Sequence, residues 1–186
     1  WGGPRDARIV DNIVQEIDLK TGAVLFEWHS FGNVSPSESY IPPPRGRGFE
    51  WDYFHINSAE VTPDGDFLVS ARNTSALYKV DRETGRILWR LGGKKSDFKL
   101  GRGARFDWQH SARTAPDGTL LIYDNSAAPP TRRASRVLRL RLDERAKTAT
   151  VVHAFRHPRR LLSANQGNVE LLPNGNLFVG WGSQRW

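Results

Sequence analysis

The sequence predicts an all-β protein of the β-propeller class, and two internal repeats support this prediction. The first is a Pro-Asp/Asn-Gly triplet, which occurs at residues 63–65, 116–118 and 173–175. Each triplet lies between two strand-like runs, and Asp-Gly or Asn-Gly in that position is typical of a β-hairpin. The near-equal spacing of the three triplets indicates a repeated unit.

The second repeat supplies another hairpin to each unit. Residues 18–26 read Asp-Leu-Lys-Thr-Gly-Ala-Val-Leu-Phe, and residues 81–89 read Asp-Arg-Glu-Thr-Gly-Arg-Ile-Leu-Trp. A degraded third copy runs through residues 143–152. One unit is therefore two hairpins, or four antiparallel strands, and no helical period is sustained. Because a closed propeller needs about four to eight such units, we expect about three blades in an open or incomplete propeller.

We expect residues 1–186 to form a single, partial β-propeller-like region with long loops at 29–54 and 92–107. Both loops are rich in Gly, Pro and Arg, and loops of this length are often functional. The chain begins with Trp1 and contains no Met, so we expect a processed or truncated piece that lacks the remaining blades. The apolar runs are far too short to span a bilayer, so no membrane span is expected.

Composition narrows the classes of function. The chain has no Cys, which excludes disulfides, thiolate nucleophiles and Cys-ligated zinc. Lys and Arg together number 27 against 20 Asp and Glu, for a net charge of +7. Anionic partners fit this balance, although a solvated basic surface explains it equally well. Residues 102–108 interleave basic and aromatic side chains, but this is common by chance, so nucleic acid is not an expected partner.

The hairpins predict which polar side chains face each other. If each Asp-Gly or Asn-Gly is a two-residue loop, Asn57 lies opposite Arg72 and His110 lies opposite Asn125. His55 lies two residues before Asn57 and shares its face. Equivalent positions of successive blades point to one central region, so we expect these five residues to converge on a polar pocket. At the equivalent position of the third unit, glycines clear space. A β-bulge in any of these strands would turn the side chains beyond it to the opposite face of the sheet.

Other chemistries find less support. We interpret the three remaining histidines as structural: His29, His153 and His157. A buried arginine at position 72 needs an anion or a carboxylate, and a salt bridge to Asp52 or Asp124 is the structural alternative. The sequence has no His-x-x-x-His or Glu-x-x-His spacing and no Gly-x-Ser-x-Gly elbow. Neither a metal site nor a Ser-His-Asp triad is therefore predicted, and no cofactor is expected.

Eight stretches of the sequence form a recognisable set when read together: residues 14–22, 26–28, 52–58, 70–74, 89–93, 109–110, 124–125 and 166–168. This set resembles the arylsulfotransferase family, and most closely its actinobacterial and fungal branch. The resemblance implies a β-propeller that moves a sulfuryl group from an aryl sulfate to a phenol without a nucleotide donor. Both small molecules are then partners, and the family suggests a place outside the cytoplasm.

The resemblance also implies roles for single residues. His55 and Asn57 match the family's His-x-Asn pair. Arg72 matches the arginine that follows this pair in the family, and His110 matches the histidine that the family sulfates. His110 would attack the sulfur, and His55 would act as the acid and base. Arg72 and Asn57 would bind the sulfuryl oxygens, with Asn125 as a further substrate-binding residue.

Aromatic side chains are predicted to hold the phenyl rings: Trp51, Tyr53, Trp108 and Trp181. Two other classes of function stay open. The first is a non-catalytic β-propeller that binds proteins or polyanions through its face. The second is a hydrolase, such as a sulfatase or a lactonase, on the same scaffold.

Overall fold

A computed structural model describes residues 8–45, 48–127 and 134–184 of the chain, so residues 46 and 47 of the predicted loop 29–54 lie outside the described residues. The prediction of an all-β fold is confirmed, since the helical structure given by these ranges is one 3₁₀ turn, Pro36–Glu38. The strands are β1 Arg8–Ile9, β2 Ile13–Ile17, β3 Val24–His29, β4 Glu50–Trp51, β5 Ile56–Val61, β6 Phe67–Ala71, β7 Ala76–Val80, β8 Ile87–Gly92, β9 Lys99–Leu100, β10 His110–Thr114, β11 Leu120–Asp124, β12 Arg136–Asp143, β13 Thr148–Phe155, β14 Asn168–Leu171 and β15 Leu177–Gly180.

Two antiparallel sheets hold most of these strands. The first has the order β5-β6-β7-β8, and the second has the order β10-β11-β12-β13, with β9 added in parallel to β13. The hairpins β2-β3 and β14-β15 form separate sheets, and β1 pairs in parallel with β4. The Pro-Asp/Asn-Gly triplets join β5-β6, β10-β11 and β14-β15, whereas the second repeat joins β2-β3, β7-β8 and β12-β13. The hairpins predicted from both repeats are therefore present.

The Pro-Asp/Asn-Gly turns are three-residue loops rather than the predicted two-residue loops. The backbone amide of Thr62 donates to the carbonyl of Asp66 at 2.8 Å, which leaves residues 63–65 in the loop. Gly65 has a φ of 93°, as expected for a type I turn that ends in a left-handed residue. The register beyond the turn is consequently shifted by one residue.

A bulge shifts the register of β5 and β6 a second time, between Ile56 and Ser58. The predicted backbone pair of Asn57 with Arg72 is therefore wrong, because Asn57 lies in the bulge. Instead, the backbone amide of Arg72 donates to the carbonyl of His55 at 3.0 Å. Bulges redirect side chains at the ends of strands, and this one places Arg72 beside His55.

The second sheet has the same irregularity, between His110 and Arg113. His110 pairs with Tyr123 along the backbone, so the predicted backbone pair of His110 with Asn125 is also wrong. In the third unit, a Cβ on Gly167 would collide with the ring of Tyr123. The glycine there allows close packing of a tyrosine and does not clear a pocket.

Hydrogen bonds link the first strands of successive hairpins. The amide of Ala112 in β10 donates to Oγ of Ser58 in β5 at 3.1 Å. In the same way, the amide of Val169 in β14 donates to Oγ of Ser111 in β10 at 3.3 Å. A core that contains Trp89, Phe106 and Ile122 fills the space between the two large sheets. Within the described ranges, no helix has the length and apolarity needed to cross a membrane.

His29 lies at the end of β3 and joins two carboxylates, which agrees with a structural role. Its Nδ1 bonds to Asp11 Oδ2 at 2.5 Å and its Nε2 bonds to Glu27 Oε1 at 2.8 Å. The bond to Asp11, followed by the bond to Glu27, raises the pKa of His29 above its ordinary value of 6.5. The protonated ring therefore stabilises the folded chain.

We expect His29→Gln to lower the urea midpoint of unfolding more at pH 5.5 than at pH 9. The folded pKa lies above the unfolded one, so the stabilisation is fully present below about pH 6.5 and is lost as the pH rises through the folded pKa. The effect should be modest because the ring is exposed. An equal loss of stability at both pH values would contradict the role of the charge.

Candidate functional site

The two histidines selected from the sequence occur in a repeated local motif. Asp52-Tyr-Phe-His55 precedes β5, and Asp107-Trp-Gln-His110 leads into β10. Both histidines therefore lie at the same end of their sheets, opposite the Pro-Asp-Gly turns. This Asp-aromatic-x-His repeat is visible in the sequence, but the prediction used only the histidines.

His55 is half-buried and bound to a carboxylate. Its Nδ1 contacts Oδ2 of Asp52 in a short hydrogen bond. Burial raises the pKa of Asp52, but the hydrogen bonds from His55 and Asn12 and the charge of Arg72 outweigh it, so the pKa lies below its ordinary value. Asp52 is therefore ionised at neutral pH and orients the ring. The Nε2 atom of His55 is left to give or take a proton.

His110 has a different environment, because its partner is a neutral amide. The ring is 9% exposed, and its Nδ1 lies 2.8 Å from Oδ1 of Asn125. Burial lowers the pKa of His110 and the charge of Arg72 lowers it further, whereas the bond to Asn125 and a weaker one to the backbone of Trp108 raise it. The net pKa lies below the ordinary value, so His110 is a neutral imidazole at pH 7.

Asn125 is fully buried directly after β11. Its side-chain amide donates to the carbonyl of Ser163 at 3.0 Å and to that of Gln166 at 2.8 Å. Its Oδ1 bonds to His110, so both polar atoms of this side chain have hydrogen-bond partners. Asn125 thus contacts His110 and the backbone, whereas it was predicted to bind the substrate.

Arg72 presents a guanidinium with free donors. Its Nε donates to Oδ1 of Asn73 at 3.2 Å, and its Cζ lies 4.5 Å from the centre of the Trp108 ring. Within the part of the chain that the structure describes, its two terminal amino groups have no hydrogen-bond or ion-pair partner. Burial lowers the pKa of Arg72 and the charge of Asp52 raises it, yet a guanidinium stays protonated. Such a planar pair of donors fits an oxyanion.

The two salt bridges considered as structural alternatives for Arg72 are absent from the described residues. Asp52 bonds to His55, and Asp124 bonds to Nε of Arg136 at 2.8 Å. Arg72 and His55 share a backbone hydrogen bond, and the Arg72 guanidinium lies over the ring of Trp108, two residues before His110. The structure therefore brings His55, Arg72 and His110 together.

Asn57 bonds to the residue that precedes His110. Its amide donates to the carbonyl of Gln109 at 2.6 Å, and its buried Oδ1 has no hydrogen-bond partner among the described residues. Gln109 in turn donates from Nε2 to Oγ of Ser70 at 3.0 Å and to the carbonyls of Ala71 and Ala76 at 3.1 Å each. Sequence reasoning missed Gln109, which fixes the start of β10 against the first sheet.

The predicted aromatic walls are mostly part of the core. Tyr53 has no exposed surface, and its hydroxyl donates to the carbonyl of Val34 at 3.2 Å. The prediction that Tyr53 contacts a phenyl ring is therefore wrong. Trp51 donates to the carbonyl of Ile41 at 3.1 Å, whereas Trp108 lies against Arg72 at the site itself. The described residues contain no group of three acidic or histidine side chains arranged to hold a metal ion.

Comparison with known proteins identifies one family. A family model described as arylsulfotransferase (ASST) matches residues 1–185. Among solved structures, a protein of unknown function from Bacteroides caccae is similar, with a TM-score of 0.48 and 17% sequence identity. That likeness covers 90% of this chain and 46% of the other chain, so this chain spans about half of its length. No curated protein matches this chain.

Proposed function

Since the chain belongs to the arylsulfotransferase family, we propose that it transfers a sulfuryl group from an aryl sulfate to a phenol through a sulfohistidine at His110. One observation supports this mechanism above the others. The buried, neutral imidazole of His110 follows Trp108 by two residues, and the guanidinium of Arg72 lies over the Trp108 ring with its two terminal amino groups unpaired among the described residues. A neutral imidazole is a nucleophile at physiological pH, and the guanidinium suits the oxygens of a sulfate ester.

In the first half-reaction the lone pair of His110 Nε2 attacks the sulfur of the aryl sulfate. The N–S bond forms while the bond between sulfur and the phenolic oxygen breaks, and that oxygen keeps the electron pair. His55 in its acid form, held through Nδ1 by Asp52, gives its Nε2 proton to the leaving phenolate. In the second half-reaction the acceptor phenol returns a proton to His55, its oxygen attacks the sulfur, and His110 regains its lone pair.

The two half-reactions predict ping-pong kinetics with 4-nitrophenyl sulfate as donor and a phenol as acceptor. Release of 4-nitrophenol that depends on the acceptor, with formation of the new aryl sulfate, supports transfer. Release of free sulfate at the same rate without an acceptor would instead indicate a hydrolase. A chain that binds a polyanion but releases no phenol would favour the binding module.

Arg72→Ala is expected to lower the rate of transfer about ten- to a hundredfold. The variant loses charge-assisted hydrogen bonds worth about 1.5–3 kcal/mol to the sulfuryl oxygens. Arg72→Lys should recover only part of the rate, because an ammonium lacks the planar pair of donors. The measurement is steady-state release of 4-nitrophenol.

Arg82→Ala is the matched control for Arg72→Ala. Arg82 also lies over an aromatic ring, with its Cζ 5.9 Å from the centre of Phe67, but its guanidinium is paired with Glu16. This control should keep the rate of the parent protein. Equal loss in both variants would mean that Arg72 acts only through folding.

We also propose that the sheets are blades of a propeller, with the remaining blades outside this chain. The sheets β5-β8 and β10-β13 then correspond to whole blades, whereas β2-β3 and β14-β15 correspond to an outer and an inner half. The hydrogen bonds that link β5 to β10 and β10 to β14 support this arrangement. In a crystal structure, these three strands should surround a common axis.

A further inference from the structure

We propose that Asn125 is a positioning residue, which holds His110 in the Nδ1–H tautomer and so leaves the lone pair on Nε2. For the reaction itself the inference rests on the proposed sulfuryl transfer. The tautomer, however, is a property of the resting protein and can be measured without a substrate.

The hydrogen bonds of Asn125 fix which of its side-chain atoms faces the ring. Its two amide N–H groups point to the carbonyls of Ser163 and Gln166, and carbonyl oxygens only accept. The oxygen Oδ1 must therefore face His110, at 2.8 Å from Nδ1. Because that oxygen also only accepts, Nδ1 must carry a proton. A neutral imidazole carries one proton, so Nε2 keeps the lone pair.

The backbone segment that holds Asn125 is itself held in place. Oγ of Ser163 donates to the carbonyl of Gly182 at 2.6 Å and lies 2.7 Å from the hydroxyl of Tyr123. The amide of Ser163 donates to Oγ of Ser135 at 2.8 Å. Rotation of the Asn125 amide would set its oxygen against two carbonyls and leave buried donors unsatisfied, which is strongly unfavourable. The orientation of Asn125 is therefore well determined.

An amide at this position also separates the functions of the two histidines. Asp52 offers His55 a charged hydrogen-bond acceptor, whereas Asn125 offers His110 an uncharged one. The second copy of the motif still contains an aspartate, Asp107, but its Oδ1 lies 3.6 Å from Nε of Arg105, and its buried Oδ2 has no hydrogen-bond partner within the described ranges. Asn125 is thus the hydrogen-bond partner of Nδ1 in His110, as Asp52 is the partner of Nδ1 in His55.

The direct test is a long-range ¹H–¹⁵N correlation spectrum of the parent protein without substrate, which distinguishes the two neutral tautomers. We expect His110 to show the Nδ1–H form and Asn125→Ala to show the Nε2–H form or a mixture. An Nε2–H form in the parent protein would overturn the inference, whether or not sulfuryl transfer occurs. The His110 signals are assigned by their absence in His110→Ala.

Kinetics give the second test. Asn125→Ala should slow formation of the sulfated protein about ten- to a hundredfold, as is usual when the partner that orients a functional histidine is removed. In Asn125→Asp the added carboxylate raises the pKa of His110, so the acid limb of the pH–rate profile should move to higher pH. An unshifted acid limb in a folded Asn125→Asp would contradict the positioning role.

A matched control separates this role from general stability. Asn33→Ala removes a comparable hydrogen bond, from the side-chain amide of Asn33 to the carbonyl of His29 at 2.8 Å. We expect this variant to keep the parent rate and the parent tautomer at His110. If Asn33→Ala slowed the reaction as much as Asn125→Ala does, the effect of Asn125 would be one of folding alone.

Discussion

His110→Ala is expected to abolish sulfuryl transfer, with a loss of about 10⁴-fold or more in rate, because removal of a covalent nucleophile costs this order of activity. The protein is mixed with 4-nitrophenyl sulfate without an acceptor. The parent should release one equivalent of 4-nitrophenol and gain one sulfuryl group on a peptide that contains His110. Neither signal should appear in the variant.

His153→Ala is the control for this experiment, because His153 lies in β13 and has no assigned part in the chemistry. It should behave as the parent does. A sulfuryl group on a peptide with His55 instead of His110 would exchange the roles of the two histidines. If no sulfated peptide forms and His110→Ala has no effect, the binding-module alternative replaces the enzyme.

Arg136→Ala is expected to destabilise the folded chain by about 1.5–3 kcal/mol, since it removes a charge-assisted hydrogen bond to a buried carboxylate. Asp124 is 0% exposed and accepts a hydrogen bond from Nε of Arg136 at 2.8 Å. Burial raises the pKa of Asp124, and the charge of Arg136 opposes that rise. Without the arginine, the carboxylate keeps the hydrogen bonds from the amide of Asp107 at 3.1 Å and the hydroxyl of Ser126 at 2.8 Å but loses the charge of Arg136. The measurement is urea unfolding at pH 7.

The loss in Arg136→Ala should become smaller at acidic pH. A carboxyl whose folded pKa lies above its unfolded value destabilises the fold when ionised, and that cost disappears once the pH falls below the unfolded pKa. Arg139→Ala on the same strand is the control. Its Nη2 bonds to Asp117 at the same distance, 2.8 Å, but at the surface. The expected loss of unfolding free energy is therefore only about 0–1 kcal/mol. Equal losses in the two variants would contradict the role of burial.

The sequence predicted the hairpins well because each repeat carries its own turn chemistry. The exact register was not predictable in the same way. A glycine after Pro-Asp suits a two-residue and a three-residue loop alike, and both put a left-handed residue at the turn. The bulges at Asn57 and after His110 depend on contacts between sheets, such as the bond from the amide of Ala112 to Ser58. Such contacts leave no periodic signal in a single sequence.

The site was predicted in part. The resemblance and the spacing both selected His55, Arg72 and His110, and the structure brings these three together through a backbone hydrogen bond and the Trp108 ring. A two-residue turn would place Arg72 opposite Asn57, but in the structure the backbone amide of Arg72 donates to the carbonyl of His55. The position of Asn125 beside His110 was expected, yet its hydrogen bonds to Ser163 and Gln166 span about 40 residues of chain and could not be read from local pattern.

The attachment of Asn125 has a consequence for inactivation by heat. The two carbonyls that hold its amide belong to the segment leading into β14-β15, a two-stranded sheet with several exposed positions. Local unfolding of a unit with little buried surface costs less free energy than unfolding of the core between two large sheets. Opening of this last hairpin would free the His110 ring while β5-β8 and β10-β13 stay folded. For a protein of these 186 residues, we expect turnover to fail at a lower temperature than the one at which the two large sheets melt.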